Sequence, residues 1–126
     1  MVRTILSLAL CALFATPALA HMDAKTHAKG ERGIASTYSM KLVGHRTASG
    51  AVLDARHLTA AHPRLPMGTK LLVTNRKNGR KVVVTVNDRG PFRDGRIIDL
   101  SPAAAAELGM RRDGLAPVEL IRIAEH

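Results

Sequence analysis

An aspartate in the segment Val-Asn-Asp-Arg-Gly-Pro, at positions 86–91, is the first candidate for chemistry. Asp88 directly follows a run of β-branched residues, so we expect it where a strand ends. A carboxyl group that is partly shielded from water there can hold a proton and donate it to a leaving group. The same residue types also favour turns, and on spacing alone a turn is the stronger interpretation.

A histidine, His62, ends a second short apolar segment. Its imidazole can orient a carboxyl group or hold a sugar hydroxyl, although a lone histidine at a strand end is more often a structural hydrogen-bonding group. Asp99 has apolar neighbours on both sides and is interpreted as a buried, satisfied carboxylate that ties loops together. No two carboxylates are close enough in sequence to predict a two-carboxylate glycosidase.

Metal and cofactor chemistry are not indicated. His45, His57 and His62 lack the i,i+4 spacing of a helical metal site, and the chain has a single cysteine. It has no glycine-rich phosphate loop and no G-x-S-x-G segment. We therefore expect neither a metal nor a cofactor.

The N-terminal segment 1–20 has the layout of a secretory signal peptide. Arg3 precedes an apolar or small-residue run at 5–15, and Ala18-Leu19-Ala20 is an A-x-A cleavage site. A buried N-terminal helix is the alternative. Cys11 invites a lipoprotein interpretation, but Leu10 precedes it where a small residue is wanted, so lipidation is not expected. The sequence therefore predicts export.

Length and charge narrow the class of protein further. The chain has 126 residues, which suits one domain, and 46% of them are hydrophobic. Its net charge of +9 falls to +8 when the signal peptide removes Arg3, and this charge favours polyanionic partners. Nucleic acid is not expected, because only Tyr38 and Phe92 remain as aromatic stacking platforms. No apolar run is long enough for a spanning helix.

The remaining segments predict an all-β domain, residues 33–126, after a flexible tail at 21–32. Ser101 is expected to cap one short helix that has Pro102 in its first turn and ends at Gly109. Six strands in so short a chain indicate a small closed barrel, which leaves no exposed sheet edge. The strands are expected at 33–39, 58–62, 70–75, 81–86, 96–100 and 117–123. Residues expected in the core are Leu71, Val73, Val83, Ile97, Leu100, Leu120 and Ile123.

Several segments in this order resemble the rare lipoprotein A (RlpA-like) family. The resemblance runs from about Gly33 to Ile123, and its most specific part is Val-Asn-Asp-Arg-Gly-Pro-Phe at 86–92. The other matching segments are Gly-Ile-Ala-Ser-Thr-Tyr at 33–38, Arg-Thr-Ala-Ser-Gly at 46–50, Leu-Thr-Ala-Ala-His at 58–62, Leu-Pro-Met-Gly-Thr at 65–69 and Gly-Arg-Ile-Ile-Asp-Leu-Ser at 95–101.

The resemblance implies a six-stranded double-psi β-barrel that acts on peptidoglycan as a lytic transglycosylase. Such enzymes cut the β-1,4 bond between N-acetylmuramic acid and N-acetylglucosamine and leave a 1,6-anhydro end, which needs one well-placed acid–base group. By motif, Asp88 is that group and His62 assists it. The implied substrate-binding residues are Tyr38, Thr47, Ser49, Asn87 and Arg89. A periplasmic or wall-associated monomer that contacts glycan strands is expected.

Three departures from the family pattern keep a second function open. The family motif T-A-S-G-E ends here in Ala51, W-Y-G is replaced by Thr-Tyr-Ser at 37–39, and a Phe-His pair by Leu-Val at 42–43. The lost glutamate and aromatic residues favour a non-catalytic peptidoglycan-binding or wall-loosening module, as in expansin-like barrels. Asp88 and His62 favour the enzyme.

Overall fold

The computed structural model describes residues 30–124. The predicted signal peptide and residues 21–29 of the predicted tail lie outside this range. The described chain forms six strands, one short 3-10 turn at Met40–Leu42 and one α-helix, α1, at Pro102–Glu107. The strands are β1 (Glu31–Thr37), β2 (Thr59–Ala61), β3 (Lys70–Asn75), β4 (Lys81–Asp88), β5 (Arg96–Leu100) and β6 (Leu115–Ala124).

The strands close into a barrel in the order β1-β5-β2-β4-β3-β6. Two neighbouring pairs, β1–β5 and β2–β4, are parallel, and the other four are antiparallel. This confirms the prediction of a six-stranded double-psi β-barrel with one short helix. Closure pairs every strand on both sides, which protects a small domain from edge-to-edge aggregation.

The β3–β4 hairpin forms where the sequence predicts it. Gly79 has φ of +79°, a conformation that L side chains rarely adopt, and its N–H donates to the carbonyl of Asn75 at 2.7 Å. The side-chain Oδ1 of Asn78 accepts from the N–H of Arg80 at 2.9 Å. These bonds satisfy the turn backbone and set the register of Leu71 opposite Val84.

Strand alternation decides which side chains form the core. On β4, Val82, Val84 and Val86 are buried, so Val83 must point the opposite way, and it is 41% exposed. The prediction that Val83 and Ile123 belong to the core is therefore wrong; Ile123 is 50% exposed on β6. The other predicted core residues hold: Leu71, Val73, Leu100 and Leu120 are buried, and Ile97 packs against the core while half-buried.

Helix α1 packs its inner face against this core. The Oγ of Ser101 accepts from the N–H of Ala104 at 3.3 Å, Pro102 occupies the first turn, and Gly109 leaves the helix with φ of +68°. Ala104, Ala105 and Leu108 are fully buried. The predicted cap, start and stop of the helix are confirmed. No helix within residues 30–124 is long and apolar enough to cross a membrane.

Truncation of one core side chain tests this packing. Leu100→Ala should lower the free energy of unfolding by about 2–5 kcal/mol, because it removes a fully buried side chain and leaves a cavity. Val83→Ala is the matched control on the outer face and should cost about 0.5 kcal/mol or less. Urea denaturation followed by circular dichroism measures both. Equal losses in the two variants would contradict the alternation assigned to β4.

Candidate active site

Asp88 lies at the end of β4 that opens to solvent. The strand runs two residues beyond its predicted end at Val86, so Asp88 is its last residue and not part of a turn. Alternation places Asp88 on the same face as Val84 and Val86, one step beyond the core. Its side chain is half-buried there and lines a cleft.

The Asp88 carboxylate is held by three hydrogen bonds: the Tyr38 hydroxyl donates to Oδ2 at 2.6 Å, and the N–H groups of Ala48 and Arg89 donate to Oδ1 at 2.8 and 2.9 Å. An ionised carboxylate is an acceptor only, so all three donors match its charged form. The group is therefore fixed in orientation by parts of the chain 40 and 50 residues away.

Tyr38 follows β1 directly and is anchored by its backbone N–H, which donates to the carbonyl of Leu100 at 2.9 Å. Burial raises the pKa of the Tyr38 phenol well above its usual range, and the hydrogen bond to Asp88 and the charge of that carboxylate raise it further. In the folded chain the hydroxyl therefore keeps its proton, and can donate to Asp88, at pH values at which a free phenol would lose it.

This raised pKa predicts an unusual alkaline titration. Tyr38 is the only tyrosine and the chain has no tryptophan, so the near-ultraviolet band of the phenolate reports on Tyr38 alone. The unfolded phenol titrates near 10. Because the folded pKa is higher, the folding stability linked to Tyr38 is present below about pH 10 and declines as the pH rises above it.

We therefore expect the phenolate band to appear only when the protein unfolds, and circular dichroism recorded on the same samples checks this. Asp88→Asn, which removes the carboxylate charge, should move the titration to lower pH. A reversible phenolate signal at about pH 10 with the native spectrum retained would contradict the placement of Tyr38 against Asp88.

The loop at 46–52 supplies the donor from Ala48. An isolated bridge between Arg46 and Val52 closes the loop, and the N–H of Ser49 donates to the carbonyl of Asn87 at 3.1 Å. The Thr47 and Ser49 hydroxyls lie 3.0 Å apart, and Thr47 also donates to the carbonyl of Ala51 at 2.9 Å. Both predicted substrate-binding hydroxyls thus shape their own loop, with Thr47 buried and Ser49 exposed.

A small cavity opens beside the carboxylate, and a larger cavity shares one lining residue with it. The smaller cavity has a volume of about 50 Å³ and is lined by Asp88 and Tyr38. Its other lining residues are Leu42, His45, Arg46, Thr47 and Leu53. The larger is about 550 Å³, and Leu53 lines both. The larger one is lined by Val43, Gly44, Val52, Leu53, Asp54, Ala55, Arg56 and His57. Arg56 lowers the pKa of Asp54 to about 2 through side-chain and backbone hydrogen bonds, so Asp54 is ionised at neutral pH and forms an exposed ion pair with Arg56 in this wall.

His62 lies away from the cleft. Its ring is buried, with Nε2 at 2.9 Å from Oε1 of Glu31, while Nδ1 accepts from the N–H groups of Arg64 and Leu65 at 3.1 and 3.2 Å. An Nδ1 that accepts carries no proton, so the ring proton sits on Nε2 and is donated to Glu31. Within residues 30–124, the ring makes no hydrogen bond to the Asp88 side chain.

The backbone of His62 is nevertheless joined to the site. Its N–H donates to the carbonyl of Asp88 at 3.1 Å, and Nη1 of Arg89 donates to the carbonyls of His62 and Leu65 at 3.2 and 2.7 Å. The Oδ1 of Asn87 is buried and finds no hydrogen-bond partner within the described chain. The structure therefore brings Asp88, Tyr38 and Thr47 together in one cleft, whereas the side chains of Arg89 and His62 are not among the residues that line it.

Two groups that contribute to the site could not be predicted from the sequence. The Ala48 donor is a backbone N–H, which any residue type offers, so it leaves no signal in the sequence. Glu31, the partner of His62, falls in the segment predicted to be a tail, because β1 begins two residues before the expected first strand. Asp99 has hydrogen-bond partners, as predicted, but it is half-buried and not buried. Its partners are Ser36 and Arg96, so it joins strands β1 and β5 and not two loops.

Comparison with known proteins shows the family to which the chain belongs. Residues 30–120 match the family model described as lytic transglycolase, so the chain is a double-psi β-barrel of that class. The chain is 49% identical over 98 residues to endolytic peptidoglycan transglycosylase RlpA of Haemophilus influenzae, and 53% identical over 93 residues to the RlpA of Pasteurella multocida. The chain therefore belongs to the RlpA-like lytic transglycolase family.

The two alignments cover 78% and 72% of this chain but 33% and 32% of those proteins, so the chain spans about a third of the length of the curated relatives it matches. Among solved structures, it resembles the Streptomyces papain inhibitor with a TM-score of 0.60 and 27% identity, over 76% of this chain and 97% of the inhibitor. It also resembles a Clavibacter michiganensis expansin variant in complex with cellohexaose, with a TM-score of 0.57 and 26% identity, over 74% of this chain and 50% of the expansin.

Proposed function

We propose that this protein is an exported peptidoglycan lytic transglycosylase in which Asp88 is the acid–base group. One observation carries the proposal: a carboxyl group at the open end of the barrel is fixed by three donors and faces a cleft. Membership of the lytic transglycolase family supports the reaction class. Digestion of purified sacculi, with mass spectrometry of the released fragments, tests it.

The reaction needs one group that first gives and then takes a proton. Protonated Asp88 donates its proton to the glycosidic oxygen, and the bond from that oxygen to the anomeric carbon of N-acetylmuramic acid breaks. The carboxylate then removes the proton from the muramic 6-hydroxyl, and the oxygen of that hydroxyl bonds to the anomeric carbon. A 1,6-anhydro ring forms, no water is consumed, and Asp88 regains its proton.

The donors around Asp88 suit this cycle. The Tyr38 hydroxyl and the N–H groups of Ala48 and Arg89 all stabilise the carboxylate that forms as the proton leaves. They are in place before reaction, so little reorganisation is needed at that moment. Arg89 adds a structural contribution, because its side chain ties the β4 end to the 62–65 segment.

The larger cavity is the proposed site for the glycan strand. Its volume of about 550 Å³ falls within the range that holds a small ligand, and it adjoins the Asp88 cleft through Leu53. A fold neighbour, the expansin variant, was solved with cellohexaose, another β-1,4-linked glycan. We propose that a peptidoglycan strand lies along the same end of this barrel, with Thr47, Ser49 and Asn87 at its border.

The location and state of the protein are part of the proposal. Relatives named peptidoglycan transglycosylases support action on the cell wall outside the cytoplasm. We propose cleavage after Ala20, a monomer, and binding to peptidoglycan with no nucleic-acid partner. The intact mass of the exported protein checks the first point, since a chain that retains Arg3 or a lipid on Cys11 would contradict it.

A non-catalytic wall-binding module is the second candidate, and Ala51 favours it. Ala51 occupies the place of the family glutamate, and its methyl group cannot share the proton transfer with Asp88. The residue is exposed in the same loop that presents the Ala48 N–H to the carboxylate. If Asp88 cannot act alone, the cleft would bind glycan without cutting it.

Ala51→Glu separates the two candidates. If the missing carboxylate limits the reaction, turnover should rise, by as much as the roughly 10²-fold that a positioned acid–base group contributes. The position is exposed, so the fold should not change. Ala51→Gln is the matched control, since it adds the same bulk without an ionisable group, and release of 1,6-anhydro fragments is the readout. Equal rates for the Glu and Gln variants would exclude a carboxylate effect at position 51.

A further inference from the structure

The end of the barrel opposite Asp88 carries a second, strongly basic surface. The β3–β4 hairpin and the turn between α1 and β6 meet there: Nδ2 of Asn78 donates to the carbonyl of Leu108 at 3.0 Å, and Nζ of Lys77 lies 3.7 Å from Oδ2 of Asp113. We call residues 76–81 and 107–113 the basic end. Strand β4 separates it from Asp88, and seven strand steps span about 23 Å.

Cations outnumber carboxylates on this surface. The basic end contains six cationic side chains and two carboxylates, Glu107 and Asp113, all of them exposed. Within the described chain only Lys77 among the six has a carboxylate partner. The other five are Arg76, Arg80, Lys81, Arg111 and Arg112.

Several arginines elsewhere in the described chain pair with a carboxylate, although Arg46, Arg89 and Arg93 do not. Arg32 pairs with Glu119, Arg64 with Glu31, and Arg96 with Asp99. Clustered like charges without partners repel one another and destabilise the folded state, so their concentration at one end points to an anionic ligand outside the chain.

The basic end also contains a cavity in which a ligand could fit. It is about 280 Å³, slightly below the size that buries a whole small ligand, so it suits the end or a side group of a longer molecule. Its walls combine the apolar Met110 and Leu115 with the Lys77–Asp113 pair, and Leu115 is 53% exposed. A ligand with methyl groups and free carboxylates would match both parts.

We propose that the basic end binds the stem peptides of peptidoglycan, which carry alanine methyl groups and free carboxylates. This rests on the proposed function for the choice of peptidoglycan as the polymer. The barrel would then have two contacts with the wall, one that cuts a glycan strand at Asp88 and one that holds a peptide at the other end. Because exposed charges carry the second contact, salt weakens it, over a screening length of about 10 Å at 0.1 M.

Removal of two charges from the basic end tests the proposal. Arg76→Gln/Arg112→Gln should weaken binding to purified sacculi at low salt by roughly three- to tenfold, because two exposed ionic contacts are lost. Arg32→Gln/Arg64→Gln is the matched control, since it changes the net charge equally at positions whose arginines are already paired. The control should bind sacculi within about twofold of wild type.

Two further arms identify the ligand. Removal of the stem peptides from sacculi by an amidase should weaken the binding of the wild type. The remaining affinity should equal that of the Arg76→Gln/Arg112→Gln variant for intact sacculi. Vesicles of phosphatidylglycerol should bind wild type more weakly than intact sacculi do. Equal losses in both variants, unchanged binding after amidase treatment, or stronger binding to the vesicles would each overturn the proposal.

The proposal and the enzymatic function fail in different ways. On soluble, peptide-free glycan strands, the Arg76→Gln/Arg112→Gln variant should release 1,6-anhydro products at the wild-type rate, since its changes lie in the basic end, which β4 separates from Asp88. If neither the wild type nor the Arg76→Gln/Arg112→Gln variant released product, the enzymatic function would be overturned. The binding of the two proteins to sacculi would still test the peptide contact. A rate loss on these strands that matches the binding loss would overturn a separate peptide contact.

Discussion

Asp88→Asn is expected to reduce the release of 1,6-anhydro fragments from sacculi by at least about 10²- to 10⁴-fold, the range that one positioned acid–base group contributes. An amide cannot give a proton to the glycosidic oxygen and take one back. The loss should appear in kcat, because the substitution keeps the shape of the cleft. Initial rates of fragment release over a range of sacculus concentrations measure it.

The fold should survive this substitution. The Asn oxygen can accept from the N–H groups of Ala48 and Arg89, as Oδ1 of Asp88 does, and the amide nitrogen can donate to the Tyr38 hydroxyl. Asp94→Asn is the matched control, at an exposed aspartate in the β4–β5 connection, and should keep wild-type turnover. Retained turnover in Asp88→Asn, or an equal loss in Asp94→Asn, would remove Asp88 from its proposed role.

His62→Ala is expected to have the second largest effect, a fall in kcat of about 10²-fold that is smaller than the fall for Asp88→Asn. The variant leaves the N–H groups of Arg64 and Leu65, whose hydrogen bonds to the ring are partly buried, without that acceptor. The hydrogen bonds that join the 62–65 segment to the Arg89 side chain and to the Asp88 backbone should then weaken. We therefore propose that His62 is a positioning residue, and we expect the reacting atoms in this variant to shift away from their aligned geometry.

Two readouts distinguish positioning from proton transfer by His62. His62→Asn places a side-chain oxygen near the position of Nδ1, so it should recover part of the lost kcat. The pH dependence of kcat should keep its shape in both variants, because Asp88 still carries the proton. A changed pH profile would show that the imidazole itself titrates in the reaction.

The barrel could be predicted from sequence because its local signals agree. β-Branched runs around Asn78-Gly79, and the Ser-Pro start and Gly end of α1, each have a direct physical meaning. The inward-facing residues were harder to predict, because β4 is apolar at every position from 82 to 84 and period two cannot choose between faces there. Closure of the barrel buries Val82 and Val84 and exposes Val83.

The site was predictable only in part, since its contacts join distant segments. Asp88 stands out as a carboxyl group after an apolar strand, but its approach to Tyr38 depends on β1 lying parallel to β5 and on β2 lying between β5 and β4. His62 matches the family motif, yet only the structure shows that its ring faces Glu31. Backbone donors such as the Ala48 N–H have no residue signature at all.

The most direct test of the central claim is digestion of purified sacculi by the wild-type protein in water enriched in the heavy oxygen isotope, followed by mass spectrometry. If Asp88 closes the muramic ring without water, the fragments will carry 1,6-anhydro ends and no heavy oxygen. Reducing ends labelled with heavy oxygen would show hydrolysis instead. Sacculi that bind the protein but release no fragments would contradict the enzyme and favour a wall-binding module.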